Sequence, residues 1–492
     1  MRTAVVGGGP AGLLSALMLA REGHDVVVFD QDNLAPVPDV ETAAEEAYRP
    51  GAPQAVQPHI VMSRCRLVLA ERLPDVLADL IRAGAIEAPL ADRRPPTLRQ
   101  LPARPGDERL ATIMARRSTF DLVLRRAAAR QDGLEIRAER VSGLSAQAGP
   151  VPHICGVRTA QGEIPADLVV DASGRRSPID KWLQHHGARP AEKLSAECGV
   201  TYYGRHYRLR TQAALPGPLN TRVVTAFDEF TAVLFCSDHG AVQTAVAPLT
   251  ADHRYRPLAH EDAYDAVLRA LPTHAPWMPY LDPISPVRQM VAPHNTLRRL
   301  VVDGAPLATG LLTVGDAVST TNPTFGRGLS LAAWGAADLT DVLAEHPDDA
   351  IAQTLALDAR IAEHVAPYYQ DQARTDLARL AALRHVVLGT PPAPRASGDH
   401  PVGFAQLRAA AAVDATAFRA YWELMGMLRS PSDIYSDPHI LTAISKSESD
   451  IQPPTPDSAM LQAALRRPSS AHSRSARQPP ATLPARTDGK VR

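Results

Sequence analysis

The chain has 492 residues, with 52 Lys and Arg set against 53 Asp and Glu, for a formal net charge of -1. That length can hold two or three domains with sizeable cores. The near-neutral balance leaves no global field to recruit nucleic acid or an anionic lipid surface.

In chain order, the apolar run TAVV (residues 3–6) predicts a fully buried parallel strand that stops at Gly7-Gly8-Gly9-Pro10-Ala11-Gly12. Leu13, Leu14, Ala16, Leu17 and Ala20 then recur at helical spacing up to Gly23, and residues 25–30 (DVVVFD) predict a second strand, completing a βαβ unit. A loop-like acidic stretch with prolines follows. Residues 49–85 have helical periodicity in their second half, through Leu67, Leu69, Leu73, Val76, Leu77 and Leu80, and predict two helices. Proline-rich text at 94–105 is a connector, and residues 111–130 run from a short strand into a helix with Ser118 as N-cap. Strands are expected at 134–146 and 154–171, the latter pair turning at Gln161-Gly162. Residues 198–248 alternate apolar and polar, rich in Val, Thr and Tyr, as an antiparallel sheet outside the parallel one would. From 329 to about 445 the text is mostly helical. The Pro-, Ser- and Arg-rich tail from 446 to 492 cannot bury enough apolar surface to order itself.

The chemistry concentrates at the first turn. Gly7-x-Gly9-x-x-Gly12 stands between a strand and a helix, with Asp30 at the end of the next strand, eighteen residues after Gly12. In that setting Gly7 permits a tight turn, Gly9 lets a pyrophosphate approach the backbone, and Gly12 lets helix and strand pack closely. The helix N-terminus offers free N–H groups and a positive dipole end to phosphates, and Asp30 would accept hydrogen bonds from an adenosine ribose. An acidic residue there favours FAD or NAD over NADP in this site. The four cysteines, Cys65, Cys155, Cys198 and Cys236, show no ligand or disulfide spacing and read as free thiols. His185-His186 lacks carboxylate or Cys partners, and no metal site is expected. The immediate start on strand residues, with no apolar run of membrane-spanning length, predicts a soluble, cytoplasmic protein.

Three motifs in order, Gly7 to Gly12, ADLVVDASGRRS at 166–177 and GDAVSTTNPTFGRG at 315–328, resemble FAD-dependent monooxygenases of the para-hydroxybenzoate hydroxylase fold. RPGAPQ with the following His59, WLQHHG, and the Asn-Pro of the third motif look closest to actinobacterial epoxidase-like members. The resemblance implies an α/β (α+β two-domain) fold: a Rossmann-type FAD-binding domain with a parallel sheet, an antiparallel-sheet substrate domain and a C-terminal helical region. The corresponding boundaries are 1–70, 96–175 and 289–345 for the first, 71–95 and 176–288 for the second, and 346–445 for the third.

The implied FAD-binding residues are Gly7, Gly9, Pro10, Ala11, Gly12, Asp30, Gln31, Arg117, Gly315, Asp316, Pro323, Gly326, Arg327 and Gly328. Asp316 would hold ribityl hydroxyls or the pyrophosphate, Pro323 would border the flavin ring, and the Gly326-Arg327-Gly328 segment would set a helix N-terminus beside it. Arg117, with Arg116 adjacent, would contact the phosphates or ribityl chain. Asp171 holds the place of the family's Asp-Gly pair but is followed by Ala172-Ser173-Gly174-Arg175, so it either contacts cofactor or caps its own turn. The implied reaction transfers one oxygen atom from O2, through a flavin C4a-hydroperoxide, to a small organic substrate of secondary metabolism by epoxidation or hydroxylation. NADPH or NADH supplies electrons, directly or through a flavin reductase, and a homodimer is allowed. No Ser/His/Asp set or carboxylate pair marks catalytic residues. For substrate, alternation in TYYGRHYRL puts Tyr203, Arg205 and Tyr207 on one face, toward either a cavity or solvent. A reductase or dehydrogenase of a prenyl chain or quinone is the alternative activity. A halogenase is disfavoured, because the chain has no Lys before 181 and no Trp-x-Trp, and a non-catalytic scaffold is disfavoured by the intact motifs.

Overall fold

The computed structural model describes residues 1–49, 51–210, 214–292, 294–391, 402–447 and 455–466. Its centre is a five-stranded parallel sheet in the order Leu311–Thr313, Leu168–Asp171, Arg2–Val6, Asp25–Asp30, Leu134–Ala138. The strands are apolar on both faces because both faces are covered. Val5, Val28 and Val170 join the core beneath helices Pro10–Arg21, Arg117–Ala129 and Gly328–Glu345. Their neighbours Ala4, Val6 and Val169 point the other way, onto Leu144, Ile154 and Val157 of a three-stranded antiparallel layer. The two-residue period of an extended chain thus supplies two separate cores from one sheet.

A second, six-stranded sheet runs Arg222–Ala226, Phe230–Cys236, Ala241–Pro248, Thr201–Leu209, Leu281–Pro283, with Arg288–Val291 also paired to Thr201–Leu209. One face packs on helix Glu261–Ala270. C-terminal helices Ala350–His364, Ala366–Leu388, Phe404–Ala410, Ala415–Met425, Pro431–Ser436 and Pro438–Lys446 follow, and Leu407, Ala417, Leu424, Ile434 and Ile440 belong to the core of the first domain. The fold is therefore the expected one: a Rossmann-type domain, an antiparallel-sheet domain and a helical C-terminal region.

Local departures have identifiable causes. Helix Arg117–Ala129 starts before Ser118, which lies inside its first turn. The N-cap is Arg116, whose extended backbone is pinned by its amide donating to Asp238 Oδ1 at 2.6 Å. The stretch after Asp30 contains a short helix, Val40–Glu45, that Asp39 caps by accepting from the Glu41 and Thr42 amides. The boundary drawn at residue 71 follows no break in packing, since Leu73, Val76 and Leu80 share the core of Leu13 and Leu17. Part of the tail is also ordered. Ser458–Leu465 is a helix capped by Asp457, with Leu461 and Ala464 buried against the second domain. The polar composition of the whole tail hid this eight-residue apolar segment; residues 448–454 and 467–492 lie outside the described residues.

Candidate functional site

The three motifs, far apart in sequence, meet at the carboxyl ends of the parallel strands, the end at which open α/β sheets bind ligands. Register brings Val6 beside Asp171 and Asp171 beside Thr313, and the loops that leave these strands interlock. Gly7 takes φ +105°, and a Cβ there would lie 2.5 Å from the Ala172 carbonyl oxygen, so the first and second motifs touch through backbone. Gly315, at φ +62°, approaches Ala11 so closely that a Cβ would sit 2.5 Å from the alanine methyl, which joins the third motif to the first. Gly12 has no room either, its Cβ position being 1.9 Å from the Gly7 oxygen, whereas Gly9 faces open space. Pro10 opens the helix at N1, and no side chain caps the helix N-terminus at Gly9. Asp30 accepts from the Gly8 amide through Oδ2 (2.7 Å) and from the Asp32 amide through Oδ1 (2.9 Å), which fixes the carboxylate at the strand end. Gln31 beside it is exposed.

Charge in this region is only partly satisfied. The Asp316 carboxylate accepts no hydrogen bond among the described residues. Burial pushes its pKa above the ordinary carboxylate range, against the attraction of Arg117 and Arg175. Arg117 uses Nε on Asp121 (2.6 Å), and its two Nη groups have no hydrogen-bond partner among the described residues. Arg116 is fully engaged. It binds Asp238 through Nε at 2.8 Å and Glu41 through Nη2 at 2.8 Å, tying three loops together. Of the adjacent pair, only Arg117 has donors to offer. Asp171 is occupied by its own turn, accepting from Ser173 N (3.0 Å), Ser173 Oγ (2.5 Å) and Ser177 Oγ (2.5 Å). Two arginines escaped the sequence reading. Arg175 faces Asp316, and Arg298 donates to the Ala317 carbonyl at 2.7 Å while pairing with Asp180 at 3.1 Å. The arginine of DASGR was a legible signal; nothing in sequence marked Arg298.

In the third motif, Pro323 and Gly326 are half-buried, and exposed Gly328 opens an uncapped helix N-terminus onto free space. The Arg327 side chain is not available there. It is 0% exposed and bonds Asp371 (2.7 Å) and the Tyr368 carbonyl (2.9 Å) on helix Ala366–Leu388, leaving only its backbone amide at the helix start. This correction has a plain cause: a buried guanidinium needs a buried counter-ion, and the C-terminal helix carries one. The same helix reaches the neighbouring loop through Asp376, which accepts from Asn322 (2.9 Å), Asn295 (2.8 Å) and Gln372 (3.1 Å).

Tyr203, Arg205 and Tyr207 do not line a site. They face the second domain's own core, where Arg205 bonds Asp265 (2.8 Å) and Glu261 (2.9 Å), and the Tyr207 hydroxyl donates to Asp265 (2.5 Å). Helix Glu261–Ala270 supplies both carboxylates, a partner the strand's alternation could not reveal. The opposite face of the strand meets the first domain. Tyr202 OH donates to Asn322 Oδ1 at 2.6 Å and pairs with Thr324 Oγ1 at 2.7 Å, and a Cβ on Gly204 would strike Gln57 at 2.5 Å. His59 lies here, braced by Gln243 on both its amide and carbonyl (3.1 Å each). Desolvation and then Arg117 lower its pKa to about 4, and Nδ1 sits 2.9 Å from the Gln57 carbonyl. That makes it a neutral Nδ1–H tautomer whose Nε2 is an acceptor. Beyond lies an apolar cluster of Ile60, Met62, Phe235, Phe325, Phe418, Trp422 and Met425, to which the sheet, the third motif and helix Ala415–Met425 all contribute.

Among the described residues no group of His, Cys, Asp and Glu is arranged to hold a metal ion, and no helix is long and apolar enough to cross a membrane. The open cradle at Gly9, the unpaired Asp316 carboxylate, the free Arg117 donors and the second helix N-terminus at Gly328 fit a dinucleotide that carries a polar chain and a flat ring.

Residues 5–35 match the model of an NAD(P)-binding Rossmann-like domain. Protein Rv3254 of Mycobacterium tuberculosis is 28% identical over 372 residues, 69% of this chain and 72% of that protein. Kynurenine 3-monooxygenase of Salinispora arenicola is 27% identical over 375 residues, 71% and 74% of the two chains. Among solved structures, flavin-dependent brominase Bmp2 superposes with TM-score 0.60 at 14% identity over 91% of this chain and 99% of its own. PqsL, a probable FAD-dependent monooxygenase from Pseudomonas aeruginosa, does so with TM-score 0.54 at 17% identity over 79% and 100%. These likenesses establish the fold.

Proposed function

We propose that this chain is an FAD-dependent monooxygenase that transfers one oxygen atom from O2 to a small organic substrate, with NADPH or NADH as the source of electrons. The observation that carries the reading is the convergence of Gly7–Gly12, Arg117 and Gly315–Asp316 on one sheet end, with the Asp316 carboxylate accepting no hydrogen bond among the described residues. The likeness to kynurenine 3-monooxygenase and to PqsL supports it. FAD, when bound, supplies the redox and oxygen-activating chemistry. The protein's part is to bind, orient and exclude water.

Gly9, Pro10, Ala11 and the first-turn amides of the Pro10–Arg21 helix receive the pyrophosphate. Asp30, with Gln31 beside it, takes the adenosine ribose. Asp316 takes ribityl hydroxyls, donors that compensate its desolvated carboxylate, and Arg117 takes a phosphate or the ribityl chain. Pro323 and the Gly326–Gly328 backbone would border the ring, and the N-terminus of helix Gly328–Glu345 would offer it free N–H groups and a positive dipole end. The apolar cluster around Ile60, Met62 and Phe325 keeps the ring's neighbourhood dry. His59, neutral at pH 7, presents an acceptor and no positive charge. The buried free thiols Cys65, Cys198 and Cys236 support a reducing, cytoplasmic setting.

The test is the visible spectrum of the purified protein, then anaerobic addition of NADH and NADPH, then air with peroxide detection. Bound flavin that one nucleotide bleaches, and air restores with slow peroxide release, is expected. A protein that neither retains nor binds added FAD would sink the reading; flavin that neither nucleotide reduces would shift electron delivery to a separate reductase.

A further inference from the structure

The Asn-Pro loop of the third motif is tied to one buried carboxylate. Asp376, on helix Ala366–Leu388, is 3% exposed; Oδ1 accepts from Asn322 Nδ2 (2.9 Å), and Oδ2 accepts from Asn295 Nδ2 (2.8 Å) and Gln372 Nε2 (3.1 Å). It forms no ion pair among the described residues, so three neutral amides hold a desolvated charge. All three amide residues are 0% exposed.

Two of the amides cannot turn round. Asn295 Oδ1 is committed to the Asn322 backbone amide (2.7 Å), and Gln372 Oε1 lies 3.4 Å from Arg327 Nη1, which leaves only their N–H groups for Asp376. The third is then set by the carboxylate itself. Because Oδ1 can only accept, Asn322 turns Nδ2 to Asp376 and Oδ1 to strand Thr201–Leu209, where the Tyr202 hydroxyl donates to it at 2.6 Å. That uses the one Tyr202 proton. The 2.7 Å contact between Tyr202 and Thr324 Oγ1 therefore has Thr324 as its donor. Every proton in the chain from Thr324 through Tyr202 and Asn322 points toward Asp376, and such chains polarise one another. Thr324, half-buried and next to Pro323, keeps only lone pairs for a group that reaches it.

We propose that Asp376 is a positioning residue that acts through Asn322 and Tyr202: it fixes the Asn322–Thr324 loop and makes the Thr324 hydroxyl an acceptor toward whatever binds beside Pro323. That this neighbour is the flavin ring rests on the monooxygenase reading; the polarity of the chain does not.

Asp376→Asn should reverse the chain without breaking it. The new amide oxygen keeps Asn295 and Gln372, its N–H turns to Asn322, the Asn322 amide flips, Tyr202 donates to Thr324, and the Thr324 proton is released. Asn322→Asp instead sets two buried carboxylates against each other. The double variant Asn322→Asp/Asp376→Asn restores each bond with its original polarity.

The test measures melting of the flavin-free full chain and the flavin midpoint potential of the FAD-loaded chain. Expected are a melting temperature several degrees below wild type in Asn322→Asp, and values close to wild type in Asp376→Asn and in the double variant. The potential should shift upward in Asp376→Asn, since a proton replaces lone pairs beside the ring, and return in the double variant. Adding Thr324→Val to Asp376→Asn should remove most of that shift. Asp376→Asn melting as low as Asn322→Asp, a double variant without rescue, an unshifted potential, or a shift that survives Thr324→Val would overturn the proposal. A chain that retains no flavin yet shows the melting pattern would keep the Asp376 chain and remove the monooxygenase reading; a flavin-loaded chain without the pattern would do the reverse.

Discussion

Gly9 and Gly12 sit three residues apart in one loop and answer to different constraints. Gly12 is held by the Gly7 carbonyl 1.9 Å from its missing Cβ, whereas Gly9 meets nothing. Gly12→Ala is therefore expected to lower the melting temperature by several degrees even without ligand, by pushing the helix off the turn. Gly9→Ala is expected to leave melting unchanged and to weaken FAD retention alone; thermal scans with and without added FAD separate the two. Asp316 gives a pH-dependent counterpart. Its carboxyl has a raised folded-state pKa, so its contribution to stability is greatest below the unfolded value and is lost as pH rises through the folded value. In flavin-free protein, Asp316→Asn should thus gain stability relative to wild type from pH 4 to pH 7. Asp316→Ala should purify colourless with an unchanged circular dichroism spectrum, and a fully yellow preparation would remove Asp316 from the cofactor site.

At the scale of elements, the third motif is held in place from behind. Arg327 and Asp371 form a buried pair between the Gly328–Glu345 and Ala366–Leu388 helices, with Tyr435 donating to the second Asp371 oxygen at 2.9 Å. Removing one partner strands the other, so Asp371→Ala is expected to cost about 3–5 kcal/mol in urea unfolding. The companion Arg327→Met/Asp371→Leu should recover most of that loss. The strand Thr201–Leu209 makes the complementary point. Its alternation was legible, and it correctly grouped Tyr203, Arg205 and Tyr207 on one face. Which face looked at the site was not, because helix Glu261–Ala270 lies fifty or more residues downstream and brings the carboxylates that bury Arg205.

Across the whole molecule, burial keeps three histidines neutral. His59, His206 and His274 all have pKa values lowered to about 4, chiefly by desolvation. A lowered folded-state value means that the unfolded chain binds more protons between pH 4 and 6.5. Stability is then complete above pH 6.5 and falls as pH drops through that window. For His274, 0% exposed, the loss is on the order of 3 kcal/mol. Urea unfolding from pH 7 to 4.5 should show this decline, with a shallower slope in His274→Gln. Truncation after residue 455 should lower the melting temperature by a few degrees, since Leu461 and Ala464 cover the second domain's core; an unchanged value would make the helix a passive addition.

The sequence by itself determined the βαβ start, the roles of its glycines and the position of Asp316, because those depend on spacing within a few residues and on what a backbone without Cβ can do. It also determined the succession of a parallel unit, a separate antiparallel sheet and a helical C-terminal stretch, since apolar periodicity follows directly from which faces are covered. Only the tertiary structure decided that Arg117 and not Arg116 keeps free donors, and that Arg327 is consumed by Asp371. Those outcomes turn on which buried charges meet a counter-charge, and electrostatic pairing is settled by distances across the fold, to which spacing along the chain is blind.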